Sequence, residues 1–414
     1  MARDGNAKGM KETKFKDTGL GKIPEEWSVV QVGDLFSMKR NNTLSRDNLN
    51  YSDLAGYKNI HYGDVLVKFG AFIDVSTDTL PFVNHDIKFN PDLLENGDVI
   101  IADTAEDENV GKASEVIGIS AKDKVVSGLH TIVLHPNEKF ASKYLGYFLN
   151  GEAYHNSLYN SMQGTKVISI SQKAINATSI AYPSFSEQQR IASALSDADA
   201  LVAELDALIE KKRAIMAGTM QELLTGKRRL QGFSEPWVKK TLEGICLRHD
   251  NLRIPVKASE RKAGYTPYYG ANGIQDYVEG YTHDGESILI AEDGANDLDN
   301  YPVNFAVGKI WVNNHAHVVK AKEEFIYSYF LYLALKQCNF NDVIVGSSRA
   351  KLNASSLMQI NVKYPSSLAE QRAIATILSD MDAEIAELEA KRDKYKEVRQ
   401  GMMQQLLTGK IRLI

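Results

Sequence analysis

Cysteine is scarce in this 414-residue chain, and its two cysteines, Cys246 and Cys338, lie far apart in the sequence. That spacing excludes a disulfide framework and the close cysteine pairs of structural zinc sites, so a reducing cytosol is the expected setting. No apolar run is long enough to predict a membrane span. Residues 1–18 are polar and basic without an apolar core, which predicts a mobile N-terminal tail and no secretion signal. We therefore expect a cytoplasmic globular protein with more than one core.

The charge is nearly balanced, with 48 basic and 53 acidic side chains and a net charge of −5. This balance excludes a uniformly basic nucleic-acid binder but allows local positive surfaces. The sequence also lacks a phosphate loop of the G-x-x-x-x-G-K-[ST] type. Residues 90–92 (NPD) come nearest to the motif of amino-methyltransferases, but they lack its second proline and its aromatic residue. No ATP, metal or cofactor site is predicted.

A strong internal repeat is the main feature that is present. Residues 187–230 align without a gap to residues 370–413, with 24 identities in 44 positions. In both copies apolar residues recur at intervals of four and three, which predicts a long helix with a coiled-coil seam, about 60 Å in length. The seam residues are Ile191, Leu195, Val202 and Leu205 in the first copy, and Ile374, Leu378, Ile385 and Leu388 in the second.

The ends of both predicted helices carry matching signals. Ser184 with Glu187, and Ser367 with Glu370, have the spacing of a capping box. Both copies end in LLTGK, whose glycine suits the left-handed residue that follows a helix. The basic residues that come next either contact a phosphate backbone or complement the helix dipole.

Two equal helices joined by one intervening domain can pair antiparallel and give approximate two-fold symmetry within one chain. Gly218 and Gly401 occupy the same place in each helix. Close helix approach and a chance pair of surface glycines both explain them.

The regions before the two helices correspond more weakly. The matching segments are residues 23–35 with 232–245, 97–103 with 286–293, 127–134 with 314–319, and 162–171 with 345–355. The third match pairs His130 with His317. Short β-branched and aromatic runs between turn residues make these regions strand-rich. The predicted fold is α+β, in the order domain, helix, domain, helix.

Several runs resemble the specificity subunit of type I restriction-modification systems. They are KFKDTGLGKIPEEW (14–27), YTPYYGANGIQDYVEGY (265–281), the turns near Gly164 and Gly346, the AEL triplets at 203–205 and 386–388, and the duplicated helices. The resemblance implies two target-recognition domains joined by an intramolecular antiparallel coiled coil with pseudo-two-fold symmetry. The expected boundaries are a tail at 1–18, a first recognition domain at 19–183, a central conserved helix at 184–231, a second recognition domain at 232–366 and a C-terminal conserved helix at 367–414.

The resemblance also implies a function. Each domain would read one half of a bipartite double-stranded DNA site, and the helices would set the spacer and dock two modification subunits. Those partners methylate adenine with S-adenosylmethionine, and two ATP-driven restriction subunits join them where present. The chain itself would be non-catalytic and would need no cofactor.

Basic, amide, hydroxyl and aromatic side chains in predicted loops are the candidate DNA contacts. They are Lys39, Arg40, Asn41, Asn42, Gln163, Thr165, Lys166, Arg253, Lys257, Arg261, Tyr268, Tyr269, Asn272, Ser347, Ser348, Arg349 and Lys351. A plain turn explains residues 39–42 equally well, and a core position explains the two tyrosines equally well. The loops at 163–166 and 347–351 are favoured because they occupy equivalent places in the two halves.

Two other functions fit parts of the sequence. The carboxylates Asp103, Glu106, Asp107 and Glu108 are closely spaced, as in sites that bind hard cations, so a tethered metal-dependent nuclease is one alternative. A solvated loop explains them as well. The second alternative is a protein-interaction scaffold that uses the coiled coil and does not bind DNA.

Overall fold

A computed structural model describes residues 13–52, 56–85, 87–90, 92–164, 166–345 and 351–414. The chain divides into two compact units. Unit 1 comprises the residues up to Glu204 together with Arg392–Ile414, and unit 2 comprises Leu205–Lys391. Both units mix strands and helices, so the predicted α+β class is confirmed.

Unit 1 is built mainly from short strands. Its strands are β1 (Phe15–Thr18), β2 (Gly21–Pro24), β3 (Ser28–Gln31), β4 (Phe36–Lys39), β5 (Leu49–Asn50), β6 (Lys58–Ile60), β7 (Phe72–Asp74), β8 (Phe82–Val83), β9 (Val99–Ala102), β10 (Thr104–Ala105), β11 (Ala113–Ile117), β12 (Val125–Ser127), β13 (Thr131–Pro136), β14 (Ile168–Ser169) and β15 (Ser179–Tyr182). Its helices are α1 (Val32–Leu35), α2 (Tyr62–Val67), α3 (Tyr144–Leu149), α4 (Glu152–Leu158), α5 (Gln172–Ala177) and the first part of α6 (Phe185–Leu223).

Unit 2 repeats this construction. Its strands are β16 (Trp237–Thr241), β17 (Cys246–Arg248), β18 (Ala263–Gly270), β19 (Gly273–Val278), β20 (Ser287–Ala291), β21 (Val303–Ala306), β22 (Trp311–Val312), β23 (Ala316–Ala321), β24 (Ile344–Val345), β25 (Lys351–Leu352) and β26 (Asn361–Pro365). Its helices are α7 (Leu242–Ile245), α8 (Ser328–Lys336), α9 (Ala354–Met358) and the first part of α10 (Leu368–Leu406).

The central sheet of each unit has a core on both faces. The order is β4-β13-β9-β11-β7 in unit 1 and β17-β23-β20-β21 in unit 2. Alternate residues of β9 enter different cores: Ile101 packs with one hydrophobic cluster and Ile100 with another. In β20, Ile290 and Leu289 divide in the same way. Covered faces explain why both strands are continuously apolar in sequence.

The weak correspondences between the two halves are confirmed, with one correction. The motif β3-α1-β4 matches β16-α7-β17, and the pair β9 and β13 matches β20 and β23. The backbone N–H of Asp103 donates to the carbonyl of His130 over 3.1 Å, and that of Glu292 donates to His315 over 2.8 Å. His130 therefore corresponds to His315, and the predicted pairing with His317 was wrong by two residues.

The boundary of the predicted tail also needs correction. Phe15–Thr18 form the antiparallel hairpin β1-β2, in which Gly21 takes the left-handed turn conformation with a φ of 89°. Lys16 fixes this hairpin by donating from Nζ to the carbonyl of Trp27 over 2.6 Å. The polar composition of residues 1–18 led to the prediction of a tail and did not indicate this turn. Residues 1–12 of the predicted tail lie outside the described part of the chain.

Helices α6 and α10 each contain 39 residues, which corresponds to a length of about 58 Å. They contact each other in both units. In unit 1, Asp199 of α6 forms an ion pair with Arg399 of α10. In unit 2, Lys212 lies 2.6 Å from Glu384. Residue numbers rise along one helix as they fall along the other, so the predicted antiparallel pairing is confirmed. Lys212 and Arg399, which interrupt the apolar seam, are thus explained by ion pairs between the helices.

The predicted seam residues form two groups, those at the start of each helix and those farther along. Ile191 and Leu195 belong to the core of unit 1, and Ile374 and Leu378 belong to the core of unit 2, so the start of each helix closes a domain. Farther along, Leu205 and Ile385 are buried, whereas Val202 and Leu388 are half-buried.

The paired glycines do not mark a close helix contact. Within the described part of the chain, and apart from the adjoining backbone of the same helix, no heavy atom lies within 4 Å of a Cβ built at Gly218 or at Gly401. The structure therefore supports the explanation that they are surface glycines. No helix among the described residues is long and apolar enough to cross a membrane.

Candidate nucleic-acid interface

The basic helix ends form internal clamps. Arg412, just after α10, binds Glu187 at the start of α6 through two hydrogen bonds of 2.6 and 2.7 Å. Arg229, just after α6, binds Glu370 at the start of α10 in the same way, over 2.6 and 2.7 Å. Glu187 and Glu370 are 1% and 0% exposed. These two arginines therefore bind buried glutamates, and neither of the two predicted explanations, a phosphate contact or complementation of the helix dipole, describes them.

The clamp also changes the predicted capping box. Ser184 and Ser367 accept the N–H of Glu187 and Glu370, each over 3.4 Å, as expected. The glutamate side chains do not return to the cap, because each is bound by an arginine from the other helix. The signal for this contact was present in the sequence, since the glutamates and arginines are identities in both repeats.

The first group of candidate contacts is largely engaged within unit 1. Lys39 donates from Nζ to Glu95 over 2.8 Å and to Asp98 over 2.9 Å. Asn42 is buried, and its amide nitrogen donates to the carbonyl of Ser127 over 2.8 Å. Both side chains are thus engaged within unit 1, but neither residue lies in a turn, since Lys39 is the last residue of β4 and Asn42 follows it in irregular chain.

Arg40 and Asn41 lie beside them at the surface. Arg40 is exposed and forms a two-point contact with Asp92, with distances of 3.1 and 2.9 Å. Hydrogen bonds from Arg40 lower the pKa of the Asp92 carboxyl to about 2. Asn41 is half-buried and donates to the carbonyl of Gly128 over 3.3 Å.

Several candidates in unit 2 are also internal. Tyr268 is 1% exposed, and its hydroxyl donates to the carbonyl of Val256 over 3.2 Å. Tyr269 packs in a hydrophobic cluster. Arg253 is mostly buried and lies 2.8 Å from Glu292. The core explanation therefore holds for both tyrosines, and Arg253 binds a carboxylate of its own domain.

The remaining candidates present polar groups at the surface. Gln163, Lys166, Lys257, Asn272 and Lys351 are exposed, although Lys351 also lies 3.1 Å from Glu292 and the Asn272 amide donates to Gly294 over 3.0 Å. Arg261 is half-buried, with its guanidinium 4.1 Å from the ring centroid of Tyr268. Thr165, Ser347, Ser348 and Arg349 lie outside the described residues.

The residues that follow the two predicted loops bind the equivalent edges of the two sheets. Ile170 donates its N–H to Asp103 over 2.9 Å, and Leu352 donates to Glu292 over 2.7 Å. Gly164 turns the first loop with a φ of 122°, and an added Cβ would lie 1.9 Å from the carbonyl oxygen of Val167. Only glycine fits this turn, which presents Gln163 and Lys166 at the surface.

A polar cleft of about 480 Å³ lies near the loop edge of unit 2. It is lined by Lys257, Arg261 and Tyr268, by the amides Gln275, Asn313 and Asn314, and by His315, Pro255 and Val256. Cationic and amide groups of this kind can bind phosphate oxygens and base edges. Gln275, Asn313 and Asn314 were not predicted from the sequence, because the cleft is assembled from three separate segments.

The acidic residues that suggested a nuclease are separated by their contacts. Asp103 accepts from Thr104 over 2.7 Å, whereas Asp107 accepts from the N–H of Asn109 over 3.0 Å. Among the described residues, no group of three or more histidine, cysteine or carboxylate side chains is arranged to hold a metal ion.

Comparison with known proteins identifies the family. The model of the type I restriction modification DNA specificity domain matches residues 24–212 and 234–397. A protein of Haemophilus influenzae, provisionally named a type I restriction enzyme specificity subunit, is 48% identical over 154 residues. That match covers 37% of this chain and 39% of the relative. The MjaX specificity subunit of Methanocaldococcus jannaschii, also provisionally named, is 25% identical over 97% of this chain and 98% of its own length.

Solved structures show the same fold. The type I restriction-modification S subunit from M. genitalium aligns with a TM-score of 0.58 and 18% identity, covering 92% of this chain and 96% of that one. A chain from a study of complex assembly and conformational transition in the type I system aligns with the same TM-score and 16% identity, covering 94% and 100%. With the family model matching most of its length, the chain belongs to the type I restriction-modification DNA specificity family.

Proposed function

We propose that this chain is the DNA-recognition subunit of a type I restriction-modification complex, and that each unit reads one half of a bipartite site. The observation that carries the proposal is the repetition of one recognition architecture. In both units a polar loop returns to the acidic end of the central strand, β9 or β20, through equivalent backbone hydrogen bonds. We propose that the recognition domains span residues 19–183 and 232–366, the first being extended at its N-terminus by the hairpin strand at 15–18.

The polar residues at or near these edges are the proposed DNA contacts. In unit 1 they are Gln163 and Lys166, with Thr165 between them; in unit 2 they are Lys257, Arg261, Asn272 and Lys351, with the sequence-predicted Ser347, Ser348 and Arg349. Arg40 and Asn41 stay as candidates at the surface of unit 1. A bidentate amide or guanidinium contact contributes about 1–3 kcal/mol of discrimination between bases. Lysine contacts with phosphates add affinity that is independent of sequence and falls with salt.

This chain is proposed to supply affinity for DNA and no catalysis. It assembles with other subunits of the system, and the finer proposal is two modification subunits that methylate adenine, with two restriction subunits where present. Helices α6 and α10 are proposed to set the spacer and to dock the modification subunits, because each contributes one part to each unit and the clamps join their ends. Such a complex acts on DNA in the cytoplasm.

Selection from a random duplex library, with the chain bound to a modification subunit, tests this function. The expected result is two short fixed sequences separated by bases without preference. The Lys166→Ala variant should bind DNA more weakly. The slope of log affinity against log salt concentration should decrease in magnitude by about one, because one fewer counterion is released. Lys22→Ala, which removes an exposed lysine from the N-terminal hairpin, is the matched control and should bind like the wild type. Selection of no sequence would favour an interaction scaffold, and cleavage by the purified chain with magnesium would favour a nuclease.

A further inference from the structure

Each unit carries a histidine paired with a carboxylate at the edge where its loop returns. In unit 1, His130 Nδ1 lies 3.3 Å from Asp103 Oδ1. In unit 2, His315 Nδ1 forms a hydrogen bond with Asp293 Oδ1. The histidine side chains are 46% and 42% exposed, so both imidazoles are accessible from solvent.

The histidines are equivalent in the backbone, but their carboxylates are not. The hydrogen bonds from Asp103 to His130 and from Glu292 to His315 make Asp103 equivalent to Glu292. Asp293, which binds His315, is therefore one position later along the chain, beyond the end of β20. A histidine–aspartate pair therefore occurs at the equivalent edge of both units, although the two aspartates come from different positions.

The position of the pair relates it to the loops. Thr104, next to Asp103, pairs with Ser169 on the strand that ends the first loop. Asp293 forms a β-bridge with Lys351 at the end of the second loop. His315 also lines the polar cleft that contains Lys257.

The backbone at His130 adopts an uncommon conformation. Its φ is 55°, in the left-handed region, where residues other than glycine are uncommon and where asparagine, aspartate and histidine are better tolerated than most. Such conformations concentrate at functional sites. Here it places the imidazole beside Asp103.

From these observations, and resting on the proposed function, we infer that His130 and His315 each contact DNA through Nε2, one in each half-site. Asp293 occupies Nδ1 of His315 through a hydrogen bond. Nδ1 of His130 lies 3.3 Å from Asp103 and 3.5 Å from the Thr104 hydroxyl, so Asp293 in unit 2, and Asp103 with Thr104 in unit 1, are positioning residues. Nε2 of either ring has no hydrogen-bond partner within the described ranges, and it can donate or accept according to the state of the ring. The ligand atom is a polar atom of the duplex, on a phosphate or on a base edge.

Matched substitutions distinguish DNA contact from a structural role. Glutamine places its amide near the Nε2 position, whereas asparagine places its amide near Nδ1 and suits the left-handed backbone at residue 130. If the histidines contact DNA, His130→Asn and His315→Asn should each weaken binding to the selected duplex about tenfold, because one hydrogen bond is lost. His130→Gln and His315→Gln should retain most of the affinity, and thermal unfolding should be unchanged in all four variants.

Binding to other duplexes and the salt dependence of binding distinguish a phosphate contact from a base contact. A phosphate contact would weaken binding to every duplex and reduce the salt slope, whereas a base contact would weaken binding to the selected duplex alone; either result supports the inference. Wild-type affinity in all four variants would overturn the inference. It would also be overturned if the asparagine variants kept full affinity for DNA while the glutamine variants lost affinity. If the wild-type chain with its modification subunit binds no duplex, the proposed function fails first, and that outcome differs from binding that the variants do not alter.

Discussion

Replacing Arg412 with methionine should destabilise unit 1 by about 3–5 kcal/mol. The substitution keeps an unbranched side chain but removes the guanidinium that binds Glu187 at 2.6 and 2.7 Å. Glu187 is 1% exposed, so water cannot replace both hydrogen bonds without rearrangement of the core. The magnitude is that of leaving one member of a buried ion pair without its partner. Urea unfolding followed by far-ultraviolet circular dichroism measures the change.

Two variants make the reasoning refutable. The double variant Arg412→Met with Glu187→Met should recover most of the lost stability, because an apolar pair avoids a buried charge altogether. Arg213→Met removes an exposed arginine whose ion pairs, with Glu210 and with Glu389 of α10, lie at the surface, and it should change the unfolding midpoint little. A loss below about 1 kcal/mol in Arg412→Met, or no recovery in the double variant, would show that the clamp does not hold the helix ends together.

Three further predictions concern stability. Gly409→Ala should destabilise the chain by about 1 kcal/mol or more, since φ is 67° and an added Cβ would lie 2.4 Å from the ring of Pro24; a lower melting temperature checks this. Gly218→Ala should instead stabilise the chain by up to about 1 kcal/mol and so raise its melting temperature, because the added methyl meets no described atom within 4 Å beyond the adjoining backbone of its helix. Burial raises the pKa of Glu115 to about 7 from its ordinary 4.5, so its proton is held more tightly in the folded state and stability should fall as the pH rises through this range. Urea midpoints at pH 5 and pH 8 should show this loss, and Glu115→Gln should remove it.

The repeat made the helices the most predictable part of the fold. Identities at Glu187, Gly226 and Arg229 recur 183 residues later in the sequence, and each of these positions has a defined structural part in both copies. A capping signal and an apolar seam are local features, so the sequence alone placed the starts of α6 and α10 within one residue. The predicted boundaries, 184–231 and 367–414, extend eight residues beyond the observed ends of the two helices.

The strand register was not predictable in the same way. Shifting a strand by two residues keeps the same side chains on the same face. Sequence pattern therefore could not separate the match of His130 with His317 from the true match with His315. Hydrogen bonds between strands decide between them, and those depend on the folded sheet.

The candidate contacts show a second limit. Lys39 and Lys166 both lie next to predicted turns, yet Lys39 binds Glu95 and Asp98, which are more than fifty residues away in sequence, whereas Lys166 is exposed. Nothing in the local sequence distinguishes a lysine with such partners from one at the surface. The cleft amides of unit 2 were missed for the same reason, because their proximity is created by tertiary structure.

The central claim is that α6 and α10 fix the distance between two recognition domains on one duplex. Inserting seven residues at facing points of both helices adds two turns, or about 10 Å, which corresponds to about three base-pair steps. Duplex selection with the lengthened chain, bound to a modification subunit, should return the same two half-site sequences with a longer unread spacer. Selection of the original spacer by a lengthened chain that remains folded and fully helical would contradict the claim.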